Sequence, residues 1–207
     1  MSTSNKFTIV RVIAAPVVFL LYFIPIWTVM FAAPSMIILL PFLVFAEITD
    51  GLDGHYARKH NEVSDFGKVF DPFADVILHL SSFCCLMFSM SRELPMAGYM
   101  PAFIFVLVFY RELSMTFLRM VAVMQGTAIA ARKGGKLKTV MYIVSAFYGF
   151  FLETLVRCGV AVPYHTMKTM WGVGIGLFAL CLILCYVSFV DYLIAFKPVF
   201  KSINNKK

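Results

Sequence analysis

Residues 12–27 read VIAAPVVFLLYFIPIW, sixteen positions without one charged side chain. A run of that length is too long for a buried strand, and as a helix it nearly spans a bilayer, whose hydrocarbon core takes roughly 20 residues. Inside lipid every backbone N–H and C=O has to be paired within its own segment, so helix is the only local structure open to it. The pattern recurs. Apolar stretches at about 9–30, 34–54, 71–90, 98–122, 139–157 and 169–196 predict six transmembrane helices, and none alternates as barrel strands do. Only 14% of the 207 residues are charged and 61% are hydrophobic, more apolar surface than a soluble domain can hide. The expected fold class is all-α integral membrane, one domain over 1–207, with a short N-terminal interfacial segment. FAAPS at 31–35 has the look of a cleavage site. The run before it exceeds the roughly 7–15 residues of a signal-peptide core, so it is expected to be a mature span.

A net charge of +7 invites a nucleic-acid reading, but the basic residues are scattered over short connections. With the N-terminus placed in the cytoplasm, thirteen Lys and Arg fall on inner segments, from Lys6 and Arg11 through Arg58, Lys136 and Lys138 to Lys207. Three fall outside (Arg92, Arg157, Lys168) and two within a span (Arg111, Arg119). That asymmetry predicts both termini in the cytoplasm, an inner-membrane location and contact with anionic membrane lipids, not a nucleic-acid partner. The five cysteines lie mostly in apolar runs without metal-ligand spacing, so they are expected to pack as small hydrophobes. GVGIG at 172–176 predicts a close helix contact. GGKLKT at 134–139 lacks the spacing of a nucleotide-binding P-loop, and no strand precedes it.

The chemistry is concentrated elsewhere. Seven of the eleven acidic residues lie between Glu47 and Asp75, at the inner ends of the second and third spans. Asp50, Asp53, Gly54 and Ala57 share one helical stripe, and Gly67, Asp71 and Asp75 share another. Two such helices joined by a turn aim four carboxylates at a common volume, with small residues beside them leaving room for a bulky ligand. Glu62 and Asp65 read as solvated turn residues. The four aspartates do not, because they continue apolar helices where an uncompensated charge is costly. Crowded carboxylates repel one another unless a cation joins them, and an all-oxygen set suits Mg²⁺, with Mn²⁺ or Ca²⁺ as alternatives. Four carboxylates suffice for two ions, an arrangement suited to phosphoryl chemistry. An ordinary aspartate is a weak base, but it suffices for an alcohol whose developing charge is stabilised.

The spacing Asp50-x2-Asp53-Gly54-x2-Ala57-Arg58-x8-Gly67-x3-Asp71-x3-Asp75 resembles the signature of the CDP-alcohol phosphatidyltransferase family, all eight fixed positions being filled over 26 residues. The resemblance implies a six-helix membrane enzyme, usually a homodimer, with a cytoplasm-facing site. An alcohol would attack the lipid-side phosphate of a CDP-linked lipid and release CMP. It further implies that Asp50, Asp53, Asp71 and Asp75 hold two Mg²⁺, with Asp71 and Asp75 catalytic and Asp75 the favoured base. Gly54, Ala57 and Gly67 would give clearance to the nucleotide, and Arg58 would contact the diphosphate.

The opening NKFTIVR is similar to that of bacterial phosphatidylglycerophosphate synthases at Asn5, Thr8 and Arg11, with Ser4 where that group has proline. Asn5 and Thr8 are candidates for nucleotide contacts and Arg11 for the membrane interface; a helix cap and a topology anchor are the structural alternatives. Arg111 and Arg119 lie within the fourth span, where topology does not explain them. Glu112, seven residues before Arg119, is the candidate for an Arg–Glu packing pair. Arg111, Arg119, Lys136 and Lys138 together read as a cationic acceptor site, since the arginine fork suits phosphate. The stretch 110–139 is also similar to that group, so the resemblance covers most of 4–142. The expected donor is CDP-diacylglycerol and the expected acceptor glycerol 3-phosphate. Inositol phosphate, serine and phosphatidylglycerol are rival acceptors within the family. A divalent-cation transporter is the rival class, but it would distribute carboxylates along a pathway instead of clustering them at one side.

Overall fold

The computed structural model describes the backbone of residues 3–60, 65–91, 97–126 and 133–204; the side chains at 3–7, 50–60, 65–66, 68–69, 133 and 198–204 lie outside the described residues. Six helices follow one another: α1 (Thr3–Thr28), α2 (Ala32–His60), α3 (Asp65–Leu86), α4 (Ala102–Met124), α5 (Lys133–Arg157) and α6 (Tyr164–Asn204). Each covers most or all of one of the six apolar stretches. Prolines 16, 25, 41 and 72 sit inside helices, which membrane helices tolerate because neighbours and local adjustments satisfy the freed carbonyls. Among the described residues four helices are long and apolar enough to cross a membrane, over Thr8–Thr28, Ala32–Thr49, Gly134–Arg157 and Tyr164–Lys197. The other two carry charge in mid-course: Asp71 and Asp75 on α3, and Arg111, Glu112 and Arg119 on α4.

The helices close a ring, α1–α2–α5–α6–α4–α3, with α3 also touching α5 across the middle. The core holds Tyr22, Leu39, Phe83, Phe150 and Phe178, all fully buried. Phe83 meets Tyr142 and Phe178 edge-on at 5.0 and 5.5 Å, the favoured aromatic geometry. Ile13, Ile37, Phe117 and Val187 point outward, as on a lipid-facing surface. Cys85, Cys181 and Cys185 are buried, in line with a packing role, whereas Cys158 is exposed. The GVGIG contact is close only at Gly174, where a Cβ would lie 3.4 Å from the Tyr148 ring; a Cβ at Gly172 or Gly176 would meet no neighbouring helix within 4 Å among the described residues.

Two departures from the expected boundaries have local causes. α3 stops at Leu86 because the chain doubles back: the amides of Tyr99 and Met100 both donate to the Leu86 carbonyl, at 2.8 and 2.9 Å. Gly98 makes this possible, since a Cβ there would lie 2.3 Å from the Met87 carbonyl carbon. α5 starts early because GGKLK is helical, and its glycines let α6 approach; a Cβ on Gly135 would sit 3.2 Å from the Tyr192 hydroxyl.

A buried ion pair ties the end of the bundle where α3 meets α4. Glu153 is fully buried and accepts from Arg157 Nε (2.8 Å), the Met90 amide (3.1 Å), Ser89 Oγ (2.6 Å) and Tyr99 OH (3.0 Å). Arg157 also donates to Ser35 Oγ at 3.1 Å and lies 4.3 Å from the Tyr22 ring centre. Arg157, counted above among the outer positive charges, is thus a buried ion-pair partner rather than an exposed anchor.

Candidate active site

At the opposite end, α1 lies along α3 and delivers two side chains onto its acidic stripe. Thr8 donates its hydroxyl to Asp71 Oδ1, and the Arg11 guanidinium pairs with Asp75 Oδ1. Arg11 is 2% exposed, so it is not the membrane-interface residue expected. The difference follows from helix pairing: Thr8 and Arg11 are one turn apart on α1, as Asp71 and Asp75 are on α3. Gly67, one turn before Asp71, is buried on the same stripe.

The stripe continues to His79, which sequence reasoning missed although it stands at the next i+4 position. His79 Nδ1 lies 2.7 Å from the Asp75 carbonyl, which only accepts, so that nitrogen carries the hydrogen. Its Nε2 lies 3.6 Å from Glu47 Oε1 on α2. Asp71 and Asp75 therefore present hard oxygen donors on successive turns, and the imidazole beneath is committed to the backbone. That donor chemistry fits a hard divalent cation. Asp50, Asp53, Gly54, Ala57 and Arg58 fall on the C-terminal end of α2, and their side chains lie outside the described residues, as does that of Asn5.

Asp75 opens onto a cavity of about 170 Å³ walled by α3, α4, α5 and α6. Arg111, Arg119, Lys136 and Lys138, the four predicted acceptor cations, all line it, together with Glu112 and His79. Their environments differ. Arg119 stacks 5.5 Å from the Tyr192 ring centre, and Lys136 is exposed. Arg111 is buried and committed: Nε donates to the Cys185 carbonyl (3.1 Å), Nη1 to Glu112 (2.9 Å) and Nη2 to Ser188 Oγ (2.6 Å). Glu112 Oε1 also accepts from Lys138 Nζ (2.7 Å) and Tyr142 OH (2.9 Å). Glu112 thus pairs with Arg111 and Lys138, not with Arg119 as its heptad spacing suggested. Four cations face two carboxylates, Glu112 and Asp75, so the cavity wall is net positive and suits an anion.

Comparison with known proteins agrees. The family model described as CDP-alcohol phosphatidyltransferase matches residues 1–187. A CDP-diacylglycerol–glycerol-3-phosphate 3-phosphatidyltransferase of Treponema pallidum (strain Nichols) is 35% identical over 98% of this chain and 93% of its own length. Enzymes of the same name from Bacillus subtilis (strain 168) and Rickettsia typhi (strain ATCC VR-144 / Wilmington) are 36% and 43% identical. The first match covers 49% of each chain, the second 36% of this chain and 38% of the relative. On that near full-length match, the chain belongs to the CDP-alcohol phosphatidyltransferase family.

Proposed function

We infer that this protein transfers the phosphatidyl group of CDP-diacylglycerol to glycerol 3-phosphate, giving phosphatidylglycerophosphate and CMP. The observation that carries this reading is one cavity placing Asp75 beside Arg119, Lys136 and Lys138, in a chain related along almost its whole length to an enzyme so named. The cations hold the acceptor phosphate. Asp75 takes the proton of the glycerol hydroxyl, whose oxygen forms a bond to the lipid-side phosphorus while the bond from that phosphorus to CMP breaks. Thr8 and Arg11 hold the Asp71 and Asp75 carboxylates in register. Asp50, Asp53, Asp71 and Asp75 would hold two Mg²⁺, or Mn²⁺, which when bound stabilise charge on the diphosphate and the attacking oxygen. Arg58 contacts the diphosphate, Gly54, Ala57 and Gly67 leave space for the nucleotide, and Asn5 borders it.

The positive-inside count supports six spans with both termini and the cavity on the cytoplasmic side of the inner membrane. Thr8 near the N-terminus and Tyr192 on the last helix both lie at the cavity end. Homodimerisation is proposed from the resemblance alone, and cross-linking in membranes tests it.

The deciding experiment gives the purified protein CDP-diacylglycerol and a panel of acceptors, scoring CMP and the lipid formed. Glycerol 3-phosphate is expected to be the productive acceptor, with activity lost to a chelator and restored by Mg²⁺. Turnover only with serine, inositol phosphate or phosphatidylglycerol would reassign the acceptor. Cation uptake into vesicles without CMP release would point to a transporter.

A further inference from the structure

Of the four cations on the cavity wall, Arg111 and Lys138 share one carboxylate. Glu112 is 2% exposed, and its Oε1 collects four donors, from α4 (Arg111), α5 (Lys138 and Tyr142) and α6 (Cys185 Sγ, at 3.7 Å). Arg111 is fixed in turn to α6 through the Cys185 carbonyl and Ser188. We propose that Glu112 is a positioning residue for the acceptor: it holds the Lys138 ammonium at the cavity wall, and Arg111 serves to anchor Glu112 instead of binding phosphate. This rests on the reading of the cavity as the acceptor site.

Two physical reasons favour this division. Arg111 gives the protein three of its five donors, one from each nitrogen, which fixes the guanidinium plane between α6 and Glu112, whereas Lys138 gives Glu112 one of its three and can turn the other two to the cavity. The charges point the same way. A lone Glu112–Lys138 pair would be neutral and would offer a phosphate nothing. With Arg111 added the trio carries one net positive charge, and Lys138, 88% buried by its side chain but lining the cavity, is the member placed to present it. A lysine stem has several rotatable bonds and is costly to order. Glu112 and the Tyr142 ring, 4.6 Å from the ammonium, order it before the substrate arrives. The phosphate then meets a preset triad of Lys138, Arg119 and Lys136.

A double-mutant cycle tests this, with KM for both substrates as the readout. Glu112→Gln keeps an acceptor oxygen but not the charge. It is expected to raise KM for glycerol 3-phosphate about five-fold or more, with KM for CDP-diacylglycerol within about two-fold. Lys138→Met is expected to do at least as much, and Glu112→Gln on top of it to add nothing. Equal shifts in both KM values, or the same multiplicative effect of Glu112→Gln in the Lys138→Met background, would overturn the proposal. Arg119→Ala separates the two levels of failure. If Arg119→Ala raises KM for glycerol 3-phosphate and Lys138→Met does not, the positioning role fails while the acceptor site stands. If neither raises it, the cavity reading itself is wrong. Should Glu112→Gln not fold, Glu112→Asp carries the same cycle, since it keeps the charge and loses the reach to Lys138.

Discussion

The bundle holds two buried Arg–Glu constellations, one at each end, built from the same residue types. Glu153 and Arg157 are both fully buried, one turn apart on α5, and Glu153 accepts four hydrogen bonds. Glu112 and Arg111 are as deeply placed on α4, but Lys138 joins them, and Arg119 and Lys136 stand nearby without an ion-pair partner among the described residues. One constellation is balanced and lies outside the cavity; the other has surplus cations and lines it. Buried ion pairs are weak evidence for function in themselves, because desolvation offsets much of their attraction. What separates the two here is the surplus of one sign, the cavity it faces and the Asp75 carboxylate that shares that cavity.

The sharpest way to break the comparison is at Asp75, the proposed base. Asp75→Asn keeps the size of the side chain and an oxygen for the buried Arg11 guanidinium, and is expected to lower kcat by about 10³-fold or more in the folded protein, because the charge that the proposed proton transfer needs is gone. Turnover within ten-fold of wild type would remove Asp75 from the reaction. Glu153→Ala should do the reverse. It leaves the Arg157 guanidinium buried without its carboxylate, a loss of about 3–5 kcal/mol, read as a fall in the thermal midpoint on the order of 10 °C. KM values in the folded fraction should not move; if KM for glycerol 3-phosphate rises, the distal pair is not merely structural.

Arg119→Ala comes next. Losing a guanidinium that neighbouring carboxylates do not neutralise should raise KM for glycerol 3-phosphate about 10- to 100-fold and leave CDP-diacylglycerol unaffected. Arg119→Lys keeps the charge but not the planar fork over Tyr192, so a smaller rise is expected. Equal shifts for both substrates would move the acceptor site elsewhere.

How far this was legible in the chain depends on how local each feature is. The six helices and the α3 carboxylate stripe follow from spacing within one segment, and charges at i, i+4 amid apolar residues leave few alternatives. Even His79 lay on that stripe, open to a longer look. The roles of Thr8 and Arg11 were not legible, because their partners stand 63 and 64 residues away and only the packing of α1 on α3 joins them. Glu112 was assigned to Arg119 by heptad spacing, but residues seven apart are about 10 Å apart along the axis. Its true partners were its chain neighbour, two residues of α5 and Cys185 of α6, the last three of which the fold alone brings close. The early end of α3 had the same character: Gly98 is an unremarkable glycine until the backbone it lies against is known.

The smallest expected effects give the closest test, because two serines hold equivalent positions in the two constellations. Ser35 Oγ accepts from Arg157 Nη1 at 3.1 Å, and Ser188 Oγ accepts from Arg111 Nη2 at 2.6 Å. Replacing either with alanine removes one hydrogen bond from a buried guanidinium, worth about 1–3 kcal/mol where the donor finds no substitute. Ser35→Ala leaves Arg157, whose Nη2 already has no hydrogen-bond partner among the described residues, still gripped by Glu153, so only the thermal midpoint should fall, by a few degrees. Ser188→Ala should lower the midpoint similarly but also loosen Arg111 and, through Glu112, Lys138. A rise of about two-fold in KM for glycerol 3-phosphate is the expected extra consequence. Measured side by side, the two variants have to agree in stability and part in kinetics. If Ser188→Ala leaves both KM values where Ser35→Ala leaves them, the Arg111–Glu112–Lys138 trio is a second clamp, and the acceptor is selected by Arg119 and Lys136 alone.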